Sequence, residues 1–229
     1  MSDGQAHSQQ HTVRGGIRSF VAVPLSAPVR TEILGAAEGL SARLPELKWT
    51  RKVENLHVTL MFLGQVQAER LARFGAALAG ALGGHPSFAV QLRGVGAFPS
   101  QKNAQVIWVG IDDPSRQLDE IARAVFDIAE QLAVGDLEEQ RRRPFRAHVT
   151  IGRTPRRAAS NALRARGAGD VTEALAPWAD RAFGEVLVNE IHLYESITGG
   201  DASTYVLRGT AALEGATHGD RKERDQGIN

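Results

Sequence analysis

The spacing of hydrophobic residues along the chain alternates between a period of two, typical of strands, and a period near 3.6, typical of helices. Helical spacing predicts helices at residues 26–44, 67–82, 113–133 and 171–178. Alternating or continuous apolar runs predict strands at 17–23, 47–52, 56–63, 88–95, 105–111, 147–153, 185–194 and 205–213. Because the two kinds of element are interleaved, the pattern predicts an α+β fold and not a helical bundle or a β-sandwich.

Both ends of the chain are polar. Residues 1–16 contain almost no apolar side chains, and residues 214–229 are again polar and charged, so neither can bury enough surface to order itself. We therefore predict a disordered tail at 1–16, a single folded domain at 17–213 and a second disordered tail at 214–229. No apolar run has the length and setting of a secretory signal or of a membrane span.

Composition narrows the kinds of site that the domain can hold. The chain has 27 basic and 26 acidic residues and no cysteine. The missing thiols exclude disulfides, thiolate metal sites and a cysteine nucleophile, and they agree with a cytoplasmic location. A formal net charge of +1 argues against a chain-wide electrostatic grip on nucleic acid. Any basic surface must be local, and residues 141–157, with seven arginines and no acid, are the clearest stretch.

The most informative feature is a repeated tetrapeptide, His-Val-Thr-aliphatic, which starts at His57 and again at His148. In a strand, His57 and Thr59 share one face, as do His148 and Thr150, while the valines enter the core. If an approximate two-fold axis relates the two halves, the two His-Thr faces oppose each other across one cleft.

Two histidines and two threonines suit phosphodiester chemistry. One imidazole can act as a base while another acts as an acid near neutral pH, and the pair predicts a bell-shaped pH–rate profile around neutrality. Threonine hydroxyls can hold phosphate oxygens, and Arg153, five positions after His148, adds positive charge. Two histidines without a third ligand at metal-binding spacing leave a metal site incomplete.

The motifs and their surroundings resemble a known family. Residues 54–64 (ENLHVTLMFLG) and 143–153 (RPFRAHVTIGR) are similar to the paired signatures of the two-histidine (2H) phosphoesterases, and within them to the RNA 2′,3′-cyclic phosphodiesterases, also called 2′-5′ RNA ligases. Further similar stretches at 18–25, 94–100, 106–111 and 191–197 extend the resemblance to most of the domain. Ala147 departs from the proline usual before the second histidine.

This resemblance implies a bilobal fold, with two pseudo-symmetric α+β lobes around a central cleft. It implies hydrolysis of a terminal 2′,3′-cyclic phosphate to a 2′-phosphate, without metal or other cofactor, and possible ATP-independent, reversible 2′-5′ RNA ligation. By position, it also implies that His57 protonates the leaving O3′, that His148 activates water and that Phe62 offers a face to the terminal base. The same resemblance implies that Thr59, Thr150 and Arg153 hold the phosphate.

The partner implied is RNA with a 2′,3′-cyclic phosphate end, such as a tRNA fragment. A monomer without an obligate protein partner or a membrane is expected.

Two alternatives remain at this point. The substrate could be a small cyclic phosphate, such as ADP-ribose 1″,2″-cyclic phosphate, or the chain could be a non-catalytic RNA-end binder. The intact histidine pair argues against the binder, since binding alone needs no proton transfer. The arginine-rich stretch favours RNA as a path for upstream phosphates, or is a solvated face. His192 is interpreted as a structural residue.

Overall fold

One antiparallel sheet organises the protein in a computed structural model that describes residues 15–142, 145–155, 168–199 and 202–215. The predicted tails lie outside these residues except at their inner ends, as does the Gly/Ala/Arg-rich connection at 156–167. Within the described part of the chain, no helix is long and apolar enough to cross a bilayer.

The described strands and helices follow the predicted α+β interleaving. The strands are β1 Ile17–Pro24, β2 Lys48–Trp49, β3 His57–Val66, β4 Phe88–Ser100, β5 Asn103–Asp112, β6 His148–Arg153, β7 Ala182–Val188, β8 Glu190–Gly199 and β9 Ala202–Ala212. The α-helices are α1 Ala27–Ser41, α2 Ala68–Leu82, α3 Gln117–Gln131, α4 Leu137–Arg142 and α5 Thr172–Leu175, and short 3₁₀ helices span Val53–Asn55 and Ala176–Trp178.

The strand order places the two repeated motifs at the centre of the sheet. The order is β7-β4-β5-β6-β3-β1-β8-β9, with β2 beside β6, so β6 and β3 have three further strands on each outer side. This arrangement agrees with the approximate two-fold relation that the repeat predicts.

The sheet must curl, because the chain passes from β7 to β8 through a single residue, Asn189. These strands are six positions apart in the sheet order, which in a flat sheet would separate them by about 29 Å, far more than two residues can span. The sequence prediction of one strand at 185–194 is therefore wrong at this point. Its first part pairs with β4 and its second part with β1 and β9.

Helices cover one face of the curled sheet. The hydrophobic side chains of α1, α2 and α3 share one core with Val58 and Leu60 of β3 and with Val149 and Ile151 of β6. This packing confirms that the valine and aliphatic positions of both motifs are buried. It leaves the opposite, concave face to the histidines and threonines.

Several element ends differ from the sequence prediction for local reasons. The helix α3 begins at Gln117 and not at 113. Asp113 lies before the helix, and its carboxylate accepts a hydrogen bond from the Leu118 N–H at 2.7 Å, which caps the first turn. Ser26 precedes α1 as predicted, but its hydroxyl makes no capping bond. The helix α4 was not predicted, because one leucine followed by five polar residues gives no apolar period.

Candidate active site

The two His-Val-Thr motifs lie side by side at the middle of the sheet. β3 and β6 pair through Val58 and Val149. Continuing this antiparallel register by one residue in each direction brings His57 beside Thr150 and Thr59 beside His148. The motifs therefore occupy adjacent strands of one concave face, where the sequence prediction had two faces opposed across a gap.

A matching bulge in each strand decides where Phe62 and Arg153 point. Five residues after a histidine, an uninterrupted strand would put the side chain on the opposite face. In the pairing of β1 with β3, Val21 lies opposite Met61 but the next residue, Ala22, lies opposite Thr59. Leu60 is therefore an extra residue in β3. In the pairing of β5 with β6, Ile151 is likewise an extra residue. It lies three residues after the second histidine, just as Leu60 lies three residues after the first. One extra residue in each strand returns Phe62 and Arg153 to the face of the histidines.

The aromatic contacts agree with this reorientation. Phe62 is 55% exposed and its ring lies 6.1 Å from the ring of Phe20, which itself stacks on His57 at 4.8 Å. Phe62 therefore presents an open aromatic surface on the side of the first histidine. Sequence spacing proposed this position but could not reveal the bulge that makes it possible.

His148 is oriented by its own backbone. Its Nδ1 lies 2.6 Å from the carbonyl oxygen of Arg146. Since a carbonyl can only accept, Nδ1 carries the proton, and the lone pair of the neutral ring is on Nε2. The ring also packs edge-on against Phe98 at 5.1 Å. These contacts hold a basic Nε2 in a fixed direction.

His57 stands in an aromatic enclosure. Phe20 stacks on it, and Tyr205 meets it edge-on at 5.3 Å. Its Nδ1 is buried and makes no hydrogen bond of good geometry among the described residues, although the Asn55 backbone interacts with the ring closely enough to raise its pKa. The ring is thus held mainly by packing, in contrast to His148.

Burial and charge favour the neutral form of both imidazoles. Burial lowers the pKa of His57 from 6.5 to about 4, the Asn55 backbone acts in the opposite direction, and the charges of Arg153 and His148 lower it further. Burial also lowers the pKa of His148, opposed by the Arg146 backbone and assisted by Arg153. Arg153 therefore acts electrostatically on both histidines, and an anion bound between them would reverse its effect.

Sequence reasoning missed a second polar group on the same face. On β8, His192 is 7% exposed, with its Nδ1 2.7 Å from the Tyr194 hydroxyl and its Nε2 3.1 Å from a Glu190 carboxylate oxygen. Tyr194 stacks on Phe20 at 5.3 Å, so the group supports the enclosure of His57. The sequence did contain a signal for this group, because residues at the alternate positions 190, 192 and 194 of a strand share one face.

The arginine-rich stretch is only partly described. Arg141 forms ion pairs with Glu130 and with Glu138, the latter at 3.1 Å. The charge of this side chain is therefore already balanced by neighbouring carboxylates. Arg156, which would continue the stretch, lies outside the described residues. In the part of the chain that the structure covers, no three histidine or acidic side chains are close enough to hold a metal ion.

Comparison with known proteins gives consistent matches. A model of the LigT-like phosphoesterases matches residues 23–108, which include the first motif. An RNA 2′,3′-cyclic phosphodiesterase of Archaeoglobus fulgidus is 29% identical over 187 residues, covering 79% of this chain and 92% of that protein. One of Methanothermobacter thermautotrophicus is 31% identical over 137 residues, covering 60% of this chain and 71% of that protein.

Solved structures show the same fold. Escherichia coli LigT complexed with 3′-AMP aligns with a TM-score of 0.65 and 25% identity, over 87% of this chain and 99% of that chain. The α+β fold class and the resemblance seen in the two motifs are thereby confirmed. The chain belongs to the LigT-like phosphoesterase family, also known as the 2H phosphoesterases, and is a homologue of the RNA 2′,3′-cyclic phosphodiesterases.

Proposed function

We propose that the protein is an RNA 2′,3′-cyclic phosphodiesterase that opens a terminal cyclic phosphate to a 2′-phosphate by two-histidine acid–base catalysis. The observation that carries this proposal is the pairing of Val58 with Val149, because it sets two His-x-Thr motifs on neighbouring strands of one face. The names of the Archaeoglobus and Methanothermobacter relatives support the same reaction.

In the proposed step, a water oxygen attacks phosphorus and the P–O3′ bond breaks. Nε2 of His148 accepts the proton from water, and Nε2 of His57 donates a proton to the leaving O3′. The tautomer of His148 supports its role as the base, since its Nδ1 proton is held by the Arg146 carbonyl. The product carries its phosphate on O2′, and the two histidines exchange protonation states in one turnover.

His57 must be protonated to act as the acid, and burial opposes this in the free protein. A bound cyclic phosphate carries a negative charge, which raises the pKa of a neighbouring imidazole. Substrate binding would therefore supply the proton-donor form. The acid is strong once formed, because its surroundings favour the neutral ring.

Phosphate binding is assigned to three groups on the concave face. Thr59 and Thr150 each lie beside the histidine of the other motif, so their hydroxyls can donate to non-bridging oxygens. Arg153 stabilises the charge that develops on phosphorus in the transition state. The exposed ring of Phe62 is available to stack on the terminal base.

RNA ends, tRNA fragments among them, are the proposed substrates. In 2′-5′ ligation a 5′-hydroxyl takes the place of water as the nucleophile, the P–O3′ bond again breaks, and the product is a 2′-5′ phosphodiester with a free 3′-hydroxyl. The E. coli relative has been crystallised with 3′-AMP, a nucleotide with its phosphate on the 3′ oxygen of the ribose. The histidine pair, which a pure binding protein would not need, favours an enzyme over an RNA-end binder.

The test is cleavage of an RNA that ends in a 2′,3′-cyclic phosphate. We expect a 2′-phosphate product and a rate unchanged by EDTA. His57→Ala and His148→Ala should each lower kcat by on the order of 10²-fold or more, with the double variant hardly worse than either single variant. A 3′-phosphate product, or a single variant with nearly full turnover, would refute the proposal.

A further inference from the structure

The short strand β2 enters the sheet where β3 and β6 separate. One edge of β6 pairs with β3 at Val149, but three residues later the same edge pairs with β2. There Trp49 lies opposite Gly152, and Lys48 lies opposite Arg153. A segment from before the first motif thus lies against the end of the second motif.

Packing fixes β2 in this place. Trp49 is buried and its indole N–H donates to the Leu44 carbonyl at 2.9 Å. Its ring covers Gly152 so closely that a Cβ there would lie 3.0 Å from it. The Thr50 N–H also donates to the Ile151 carbonyl at 2.8 Å. These contacts leave β2 little freedom to shift along β6.

Because Trp49 and Gly152 face the core, the alternating side chains of Lys48 and Arg153 face the concave side. Lys48 is exposed, and it stands directly across from an arginine. Like charges opposite each other on neighbouring strands repel, and a phosphate that both cations contact offsets this repulsion. The arrangement is suited to binding phosphate.

We propose that Lys48, opposite Arg153, forms a second phosphate subsite that binds a backbone phosphate of the RNA next to the reacting group. This inference rests on the proposed function and adds a substrate preference to it, namely for oligonucleotide ends over cyclic mononucleotides. A cyclic mononucleotide has only the reacting phosphate and leaves the subsite empty.

The same proposal redirects the RNA path that the arginine-rich stretch suggests. Arg141 is held by two carboxylates, so an RNA phosphate would have to displace existing ion pairs there. Lys48 lies opposite Arg153 on the face that holds both histidines. A phosphate at the Lys48 end of the cleft would therefore lie next to the residue that we assign to the reacting phosphate.

The experiment compares Lys48→Gln with Arg123→Gln, which removes the same charge from an exposed position on α3. Each protein is assayed on a 2′,3′-cyclic mononucleotide and on an oligonucleotide with the same terminal nucleotide. We expect Lys48→Gln to lower the ratio of the two kcat/KM values, oligonucleotide over mononucleotide, several-fold, and Arg123→Gln to leave it unchanged. Lys48→Arg should restore the ratio.

Salt dependence gives a second readout that does not require turnover. Binding of an oligonucleotide ending in a 2′-phosphate is measured by fluorescence anisotropy at several salt concentrations. Loss of one phosphate contact should reduce the slope of log K against log salt by about 0.7 in Lys48→Gln. Thermal unfolding verifies that each variant is folded.

The failures are distinguishable. If the wild-type protein cleaves neither substrate, the proposed function is wrong, while the anisotropy measurement still tests Lys48. An equal loss on both substrates would assign Lys48 to the reacting phosphate and overturn the second subsite. An unchanged ratio together with an unchanged salt slope would make Lys48 a solvated charge and would also overturn it.

Discussion

The low pKa of His57 makes folding stability depend on pH in a definite direction. The folded protein takes up this proton near pH 4 and the unfolded chain near 6.5, because burial penalises the imidazolium. Between these values the unfolded state binds more protons, so the free energy of unfolding falls as the pH falls. A difference of about 2.5 units at 1.36 kcal/mol each corresponds to about 3 kcal/mol, fully present above pH 6.5.

Removing the imidazole should remove this part of the pH dependence. When the pH is lowered from 7 to 4, the free energy of unfolding should fall in both proteins. We expect it to fall by about 3 kcal/mol less in His57→Asn than in the wild-type protein. Urea unfolding at several pH values measures the difference, and other titrating groups largely cancel between the two proteins. An NMR titration of the carbon-bound ring protons measures the His57 pKa directly. Parallel stability curves, or a His57 midpoint near 6.5, would refute the reasoning.

The same shifts change the expected pH–rate profile. The residue types alone predict a maximum of kcat/KM around neutrality. Since both His57 and His148 have lowered pKa values in the free protein, the maximum of kcat/KM should lie below pH 6.5. The profile of kcat should lie at higher pH, because the bound phosphate anion raises the pKa of the donor in the complex. A kcat/KM maximum above pH 7 would contradict these assignments.

Three further substitutions separate the roles of charged residues. Arg153→Gln should lower turnover of cyclic mononucleotides and of oligonucleotides alike, on the order of 10²-fold, as measured by kcat. Arg141→Gln should leave oligonucleotide affinity and its salt slope unchanged, since the side chain is already ion-paired; a reduced slope would contradict this. His192→Ala should lower the free energy of unfolding by about 1–3 kcal/mol, because it removes a buried hydrogen bond to the Tyr194 hydroxyl and another to the Glu190 carboxylate. Equal urea midpoints for this variant and the wild-type protein would show that the buried group contributes nothing.

Sequence reasoning recovered the features that repeat locally. Hydrophobic period placed α1 and α2 within a few residues, and it put the aliphatic positions of both motifs in the core. It missed the break at Asn189, because β7 and β8 both have the alternating pattern of a strand, and this pattern does not show that they pair in opposite halves of the sheet. Strand partners are a long-range property that a local period does not encode.

The surroundings of the histidines were less accessible than the histidines themselves. Phe20, Tyr205 and Phe98 reach the two rings from other strands, and each would also suit an ordinary core position. Likewise, the position of Lys48 in β2 opposite Arg153 is known only from the strand register, which the sequence does not show. Motif spacing identifies groups that carry chemistry, whereas the residues that shift their pKa or hold them in place come from elsewhere in the fold.

The odd offset of five residues shows how the repeat and the fold depend on each other. The residue three positions after each histidine is an extra residue in its strand, Leu60 in β3 and Ile151 in β6. Without these bulges, Phe62 and Arg153 would enter the helix-covered core, where an unpaired guanidinium is strongly disfavoured. With them, two buried residues follow one another, Leu60–Met61 and Ile151–Gly152, and the next side chain faces the histidines. The sequence of the repeat therefore specifies the bulge through consecutive core residues, and the bulge converts a spacing along the chain into a shared active-site face.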